Sequence, residues 1–353
     1  EWGRDPFGPF ALILTPTREL AVQIEEQFCV FGKDGLVKTG MVIGGQDIVQ
    51  QVTRLVQAKP AIVIATPGRL ADIFRSSSND MRALFKNLRY VVLDEADRLL
   101  DPVTKMDKDI QFIFGNIRNN PRLLMFTATL SENVLGFEKL KESDQYFLFD
   151  GTKEKKIPPA IDQRYLFVPS KVKDVYLYHL LTNQFTNPND QIIIFVGKCV
   201  TAELLALSLR FLQVPNGIVS LHSRSSNRIN SLQLFRNKSA RILIATDVAS
   251  RGLDIPAVRI VINYDVPASP KDYVHRIGRT GRNNAKGLAL SIVGEVDVDV
   301  VQEIERATGT SWEEYEPQPD EDKVLADLNK CSDARQWASM QIQETGKFFN
   351  KKQ

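Results

Sequence analysis

The chain has 353 residues, 43% apolar and 25% charged, with 45 Lys+Arg against 43 Asp+Glu. That length suits two domains rather than one, and the mix excludes a disordered or collagen-like polypeptide. Three isolated cysteines (Cys29, Cys199, Cys331) exclude a disulfide framework and a Cys-x-x-Cys metal site, and no apolar run reaches the ~20 residues of a membrane span.

Short apolar runs alternate with helix-like stretches from the start. Phe10 to Leu14 reads as a strand, and Arg18 to Phe28 follows with apolar positions at helical spacing. Ala61 to Ala65 precedes Pro67-Gly68 and a helix-like Leu70 to Phe74. Tyr90 to Leu93 runs into Asp94-Glu95-Ala96-Asp97, and Leu123 to Phe126 runs into Thr127-Ala128-Thr129. Continuous Val/Ile/Leu strands between helices predict a parallel sheet covered on both faces.

A polar, proline-bearing linker is expected over 151–163, between a first domain at 1–150 and a second at 164–308. In the second, Ile192 to Val196 leads into a helix from Val200 to Phe211. Ile218 to Leu221, Ile242 to Ala245, Val258 to Asn263 and Leu288 to Val293 then continue the pattern. Residues 309–353, acidic then basic, read as a partly helical, partly mobile tail whose charge serves solubility. No signal peptide is visible, and the first residue is Glu1, not Met, so the true amino terminus is expected to lie upstream.

The near-neutral total conceals an uneven distribution. Residues 1–150 carry 18 basic and 20 acidic residues, 151–308 carry 21 and 14, and 309–353 carry 6 and 9. The middle segment therefore holds the basic surface. It suits either a polyanion or a merely solvated face.

Chemistry-bearing residues fall just after the strands, where open α/β sheets bind ligands. Asp94 and Glu95 suit a Mg²⁺ carboxylate and a water-orienting carboxylate, or an acid-rich first helical turn. Gly44-Gly45 and Pro67-Gly68 suit close backbone approach to phosphate oxygens, or ordinary turns. Arg276, Arg279 and Arg282 have spacings that place them on one helical face, as anchors for phosphoryl charge or as a solvated basic stripe.

With Pro16-Thr17-Arg18-Glu19-Leu20, Gly44-Gly45, Thr66-Pro67-Gly68-Arg69, Asp94 to Asp97, Thr127 to Thr129, Ala245 to Asp254 and His275 to Arg282 in order, the chain resembles the DEAD-box family of ATP-dependent RNA helicases over residues 10 to 308. The resemblance implies two tandem RecA-like α/β domains with parallel sheets, using ATP and Mg²⁺. It implies Asp94 as the metal ligand, Glu95 as the residue that orients water, and Arg279 and Arg282 as arginine fingers. Thr127, Asp97, Gly252, Asp254 and His275 would face the nucleotide, with Thr127 and Thr129 coupling it to RNA. Thr17, Arg18, Gly45, Thr66, Gly68, Arg69 and Thr246 would contact RNA, through its backbone and without sequence preference. A monomer without membrane attachment, open to a protein activator, is implied too.

Two features depart from the family pattern. No Gly-x-x-x-x-Gly-Lys-Ser/Thr loop occurs; Gly197-Lys198-Cys199 lacks its spacing and hydroxyl. The first domain is thus expected to be incomplete at its amino end, and this chain to hydrolyse ATP poorly. Asn227 and Asn230 also replace the family's usual Gln and Arg. Leu221-His222-Ser223 and the tail ending Lys351-Lys352-Gln353 resemble fungal members serving small-subunit ribosome biogenesis, implying a nucleolar site in the nucleus and pre-ribosomal RNA. The competing expectation is a non-catalytic RNA- or protein-binding paralogue; a DNA helicase of the same superfamily fits the motifs less well.

Overall fold

A computed structural model describes residues 8–32, 37–117, 120–137, 147–149, 157–225, 228–247, 255–282 and 285–345. The described residues through 149 belong to one compact unit and those from 157 onward to a second.

The first unit is built from strands β1 (Ala11–Leu14), β2 (Thr39–Val42), β3 (Ile62–Ala65), β4 (Tyr90–Asp94) and β5 (Arg122–Phe126). They form one parallel sheet in the order β2-β3-β1-β4-β5. Between them run helices α1 (Arg18–Phe31), α2 (Ile48–Ala58), α3 (Pro67–Ser76), α4 (Ser78–Leu84), α5 (Ala96–Leu99) and α6 (Met106–Asn116); α7 (Glu132–Leu135) follows β5. Local chemistry fixes the helix starts. Thr17 and Asp47 cap α1 and α2 by accepting from Leu20 N and Gln50 N at 3.3 and 2.8 Å. Pro67 opens α3, where its missing N–H costs nothing.

Strand residues divide by parity between two cores. Leu12, Leu14, Val63, Val91 and Leu93 pack with α3 and α6, while Ile13 and Ile64 pack under α1 with Ala21 and Val22. At β5 only one parity is covered. Leu123 and Met125 join the first core, but Leu124 and Phe126 are 38% and 59% exposed. Leu124 stands beside Val92 in the ladder, so among the described residues the α1 face of the sheet is left exposed at its β5 end.

The second unit contains β6 (Ile161–Phe167), β7 (Ile192–Val196), β8 (Ile218–Leu221), β9 (Ile242–Thr246), β10 (Ile260–Asn263), β11 (Gly287–Val293) and β12 (Glu313–Glu314). All are parallel, in the order β12-β6-β11-β10-β7-β9-β8. Its helices are α8 (Lys173–His179), α9 (Cys199–Phe211), α10 (Arg228–Arg236), α11 (Pro270–Ile277), α12 (Val298–Thr308), α13 (Glu321–Ala326) and α14 (Leu328–Glu344). Two parallel-sheet α/β units are thus present, as the alternating pattern predicts. The expected linker differs at its end, because Ile161 and Asp162 already pair with Gly287 and Leu288.

The tail also differs from expectation. Residues 309–344 are built into the second unit instead of trailing from it. Cys331, Ala334, Ala338 and Ile342 form a buried stripe on α14, which packs on α9. Ser208 Oγ donates to Ala334 O at 3.5 Å, Lys330 Nζ to Tyr178 OH at 2.8 Å, and Arg335 pairs with Asp174. The small side chains of Ala334 and Ala338 permit this close approach, a signal that mean charge conceals.

Candidate nucleotide and RNA sites

All five strands of the first sheet point the same way, so the loops after them form one rim. The strand order divides that rim. Residues following β2, β3 and β1 are those expected to meet RNA, and residues following β4 and β5 are those expected to meet nucleotide.

In the RNA half, Thr17 is 7% exposed and committed to its cap, while Arg18 beside it is exposed. The Arg18 guanidinium lies against Gly44 and Gly45. Gly45 has φ +87°, and a Cβ there would stand 2.5 Å from Arg18 Nη1, so only glycine suits the position. Gln51, buried in α2, accepts from Ile43 N at 3.0 Å and donates to Ile43 O at 3.2 Å, fixing the strand end that carries the glycine pair. Thr66 sits at the N-cap of α3 without a side-chain cap bond, and Gly68 lies in its first turn. Arg69 Nη1 donates to Gln46 O at 2.6 Å, tying α3 to the same loop. The sequence did not single out Gln46 or Gln51; an amide imitating a ladder partner leaves no pattern.

In the nucleotide half, Asp94 ends β4. Its Oδ1 accepts from Glu95 N at 3.1 Å, and burial raises its pKa against that bond's lowering effect. Glu95 follows in the left-handed region (φ 53°, ψ 53°), uncommon for a residue with a Cβ and frequent at functional sites. Its carboxylate lies 3.9 Å from Arg98. Asp97 Oδ2 accepts from Thr129 Oγ1 at 2.6 Å, and Thr127 Oγ1 donates to Thr129 O at 2.8 Å. The turns after β4 and β5 are therefore locked together by the two motifs the sequence singled out.

In the second unit, Thr246 ends β9, 4% exposed, with its hydroxyl unpartnered among the described residues. Gly252, Asp254 and Asn227 lie outside the described residues. Asn230 is exposed in the first turn of α10. His275 lies in the last turn of α11.

The shared helical face expected for Arg276, Arg279 and Arg282 does not form. Helix α11 stops at Ile277, capped by Gly278, and Gly281 at φ +66° turns the chain away. Arg276 is 2% exposed and grips Asp247 with two bonds of 2.6 and 2.8 Å; it also donates to Asp265 O at 2.6 Å. Arg279 holds its backbone against Val258, and Arg282 Nε donates to Gly278 O at 2.9 Å. The three arginines thus divide into one buried brace and two residues on the turn beyond it.

Comparison with known proteins follows this division. Residues 4–137 match the DEAD/DEAH box helicase family, and residues 172–284 match the helicase conserved C-terminal domain. Over 352 residues the chain is 43% identical to the ATP-dependent RNA helicase dbp8 of Schizosaccharomyces pombe, covering 98% of this chain and 77% of that protein. It is 41% identical to the human protein named probable ATP-dependent RNA helicase DDX49, covering 99% and 71% of the two chains. Among solved structures, Saccharomyces cerevisiae Dbp5 bound to RNA and ADP BeF3 aligns with a TM-score of 0.74 at 28% identity, covering 92% of this chain and 82% of that one.

Proposed function

Because the chain belongs to the DEAD/DEAH box helicase family, we propose that it is the working core of an ATP-dependent RNA helicase acting on pre-ribosomal RNA in the nucleolus. The observation that carries this reading is the divided rim of the first unit. Arg18, Gly45 and Arg69 cluster on one half and Asp94 to Asp97 on the other, with the Thr129–Asp97 bond joining the turns of the acidic half. The nucleolar role rests on the likeness to the dbp8 proteins and on the tail and His222 features in the sequence.

The residues present fit Mg²⁺ and ATP. Asp94 offers a partly desolvated carboxylate with a raised pKa, which a cation would relieve, and Mg²⁺ commonly takes one or two carboxylates with phosphate oxygens and water. When bound, the ion supplies charge neutralisation at the phosphates. Glu95 is assigned by motif to orienting the attacking water. By motif, Asp97, Thr127 and His275 are assigned to the nucleotide, and Arg279 and Arg282 to the developing phosphoryl charge. Thr17, Thr66, Gly68 and Thr246 complete the RNA-backbone set. Gly252 and Asp254 are assigned to nucleotide by motif alone.

This chain is proposed to be a shortened form with little ATPase of its own. The bare patch at Leu124 and Phe126, on the face α1 covers elsewhere, supports it: a doubly covered sheet needs another element there, close to Asp94. A phosphate-loop strand and helix would supply both the cover and the missing motif. The second reading, a non-catalytic RNA- or protein-binding paralogue, draws on Asn227 and Asn230, which replace the family's usual Gln and Arg.

The test is a titration of this chain with single-stranded RNA at rising salt. Binding indifferent to sequence, falling with salt, and weakened by Arg18→Ala and Arg69→Ala is expected. Binding untouched by both substitutions contradicts the RNA half of the proposal.

A further inference from the structure

The start of the tail touches the helix that carries His275 and Arg276. Trp312, 6% exposed, stacks on Tyr273 of α11 with ring centroids 4.8 Å apart and planes 25° apart. Tyr273 is fully buried, and its hydroxyl donates to Gln163 Oε1 at 3.0 Å. Thr310 Oγ1 donates to the same oxygen at 3.4 Å, and Trp312 N donates to Glu305 Oε1 at 2.7 Å. One turn beyond Tyr273, Arg276 holds Asp247, the neighbour of Thr246.

We propose that Trp312 is a positioning residue: its indole sets α11 so that Arg276 keeps Asp247, and with it the Thr246 strand end, in the conformation that receives RNA. This rests on the RNA reading of the second unit. It extends the working machinery past the matched helicase segment, which ends at residue 284. The contact is made through the ring face, because the indole N–H has no partner among the described residues. A phenyl ring should therefore replace it, whereas an aliphatic side chain of similar bulk should not.

The experiment compares Trp312→Leu and Trp312→Phe in the whole chain by two readouts: affinity for fluorescent oligo-uridine, and amide exchange in α11 with β7 as the fold control. For Trp312→Leu, several-fold weaker RNA binding and faster exchange in α11 are expected with β7 unchanged; Trp312→Phe restores both. In a Thr246→Ala background, Trp312→Leu should add little further loss, since both act at one strand end. Parental affinity in Trp312→Leu, failure of Trp312→Phe to rescue, or loosening of β7 together with α11 overturns the proposal. If Thr246→Ala alone binds RNA like the parent, the RNA reading of this unit falls, and the inference with it; a defect in Thr246→Ala without one in Trp312→Leu overturns the inference alone.

Discussion

Arg276 and Asp247 form a two-pronged ion pair, Nε to Oδ1 at 2.6 Å and Nη2 to Oδ2 at 2.8 Å. The arginine side chain is 2% exposed and lies over the Phe195 ring, 5.2 Å from its centroid. A guanidinium so enclosed is a brace between α11 and the end of β9. Removing it takes two short bonds from the Asp247 carboxylate, which is 24% exposed, so Arg276→Met should cost about 2–4 kcal/mol in urea unfolding of the second unit. Arg276→Lys keeps the charge but loses the fork, and should cost less. Equal costs for the two would show that the fork geometry contributes nothing.

Asp94 holds its proton more tightly in the folded chain than at its ordinary value of 3.8, because burial opposes its charge. A folded-state pKa raised in this way contributes stability below the unfolded value and loses it as pH rises through the folded one. Asp94→Asn should therefore melt higher than the parent at neutral pH, by on the order of a degree or two. The gain should vanish when the comparison is made below pH 3.8. Calorimetry across pH reads this directly, and a gain that grows toward acid would reverse the sign assigned to burial.

Gly45 and Arg18 make the third case. Gly45→Ala meets both a left-handed backbone at φ +87° and an Arg18 nitrogen 2.5 Å from the new methyl. It should lose about 1–2 kcal/mol of stability and, by displacing Arg18, weaken RNA binding several-fold. Gly44→Ala, whose nearest contact is 3.0 Å with no positive φ, should lose less on both counts. Parental RNA affinity in Gly45→Ala would separate the glycine from the arginine.

Much of this was legible in the sequence because parallel strands covered on both faces are runs of Val, Ile and Leu, and the motifs directly follow them. Asp94, Thr127 and Thr66 stand where that rule puts them. Strand β6 was hidden because Asp162, Gln163 and Arg164 break the apolar run, and β2 because Thr39-Gly40-Met41-Val42 is short. Helical spacing misled at Arg279 and Arg282, since Gly278 and Gly281 end the helix between them and Arg276. Composition misled in the tail: exposed acids outnumber Trp312, Tyr315 and Cys331, yet these few buried residues decide where it packs. Arg276 was visible as a residue but not as a brace, because its partner Asp247 lies 29 positions away.

The most direct measurement is ATP turnover with Mg²⁺ and RNA, made on this chain and on the chain extended at its amino end by a strand and helix carrying a Gly-x-x-x-x-Gly-Lys-Thr loop. Negligible turnover in the first and RNA-stimulated turnover in the second, abolished by Glu95→Gln, are expected. Robust Glu95-dependent turnover by the unextended chain would contradict the proposal that a further element beside Leu124 and Phe126 is required. An extended chain that binds RNA yet never hydrolyses ATP would contradict the helicase assignment itself.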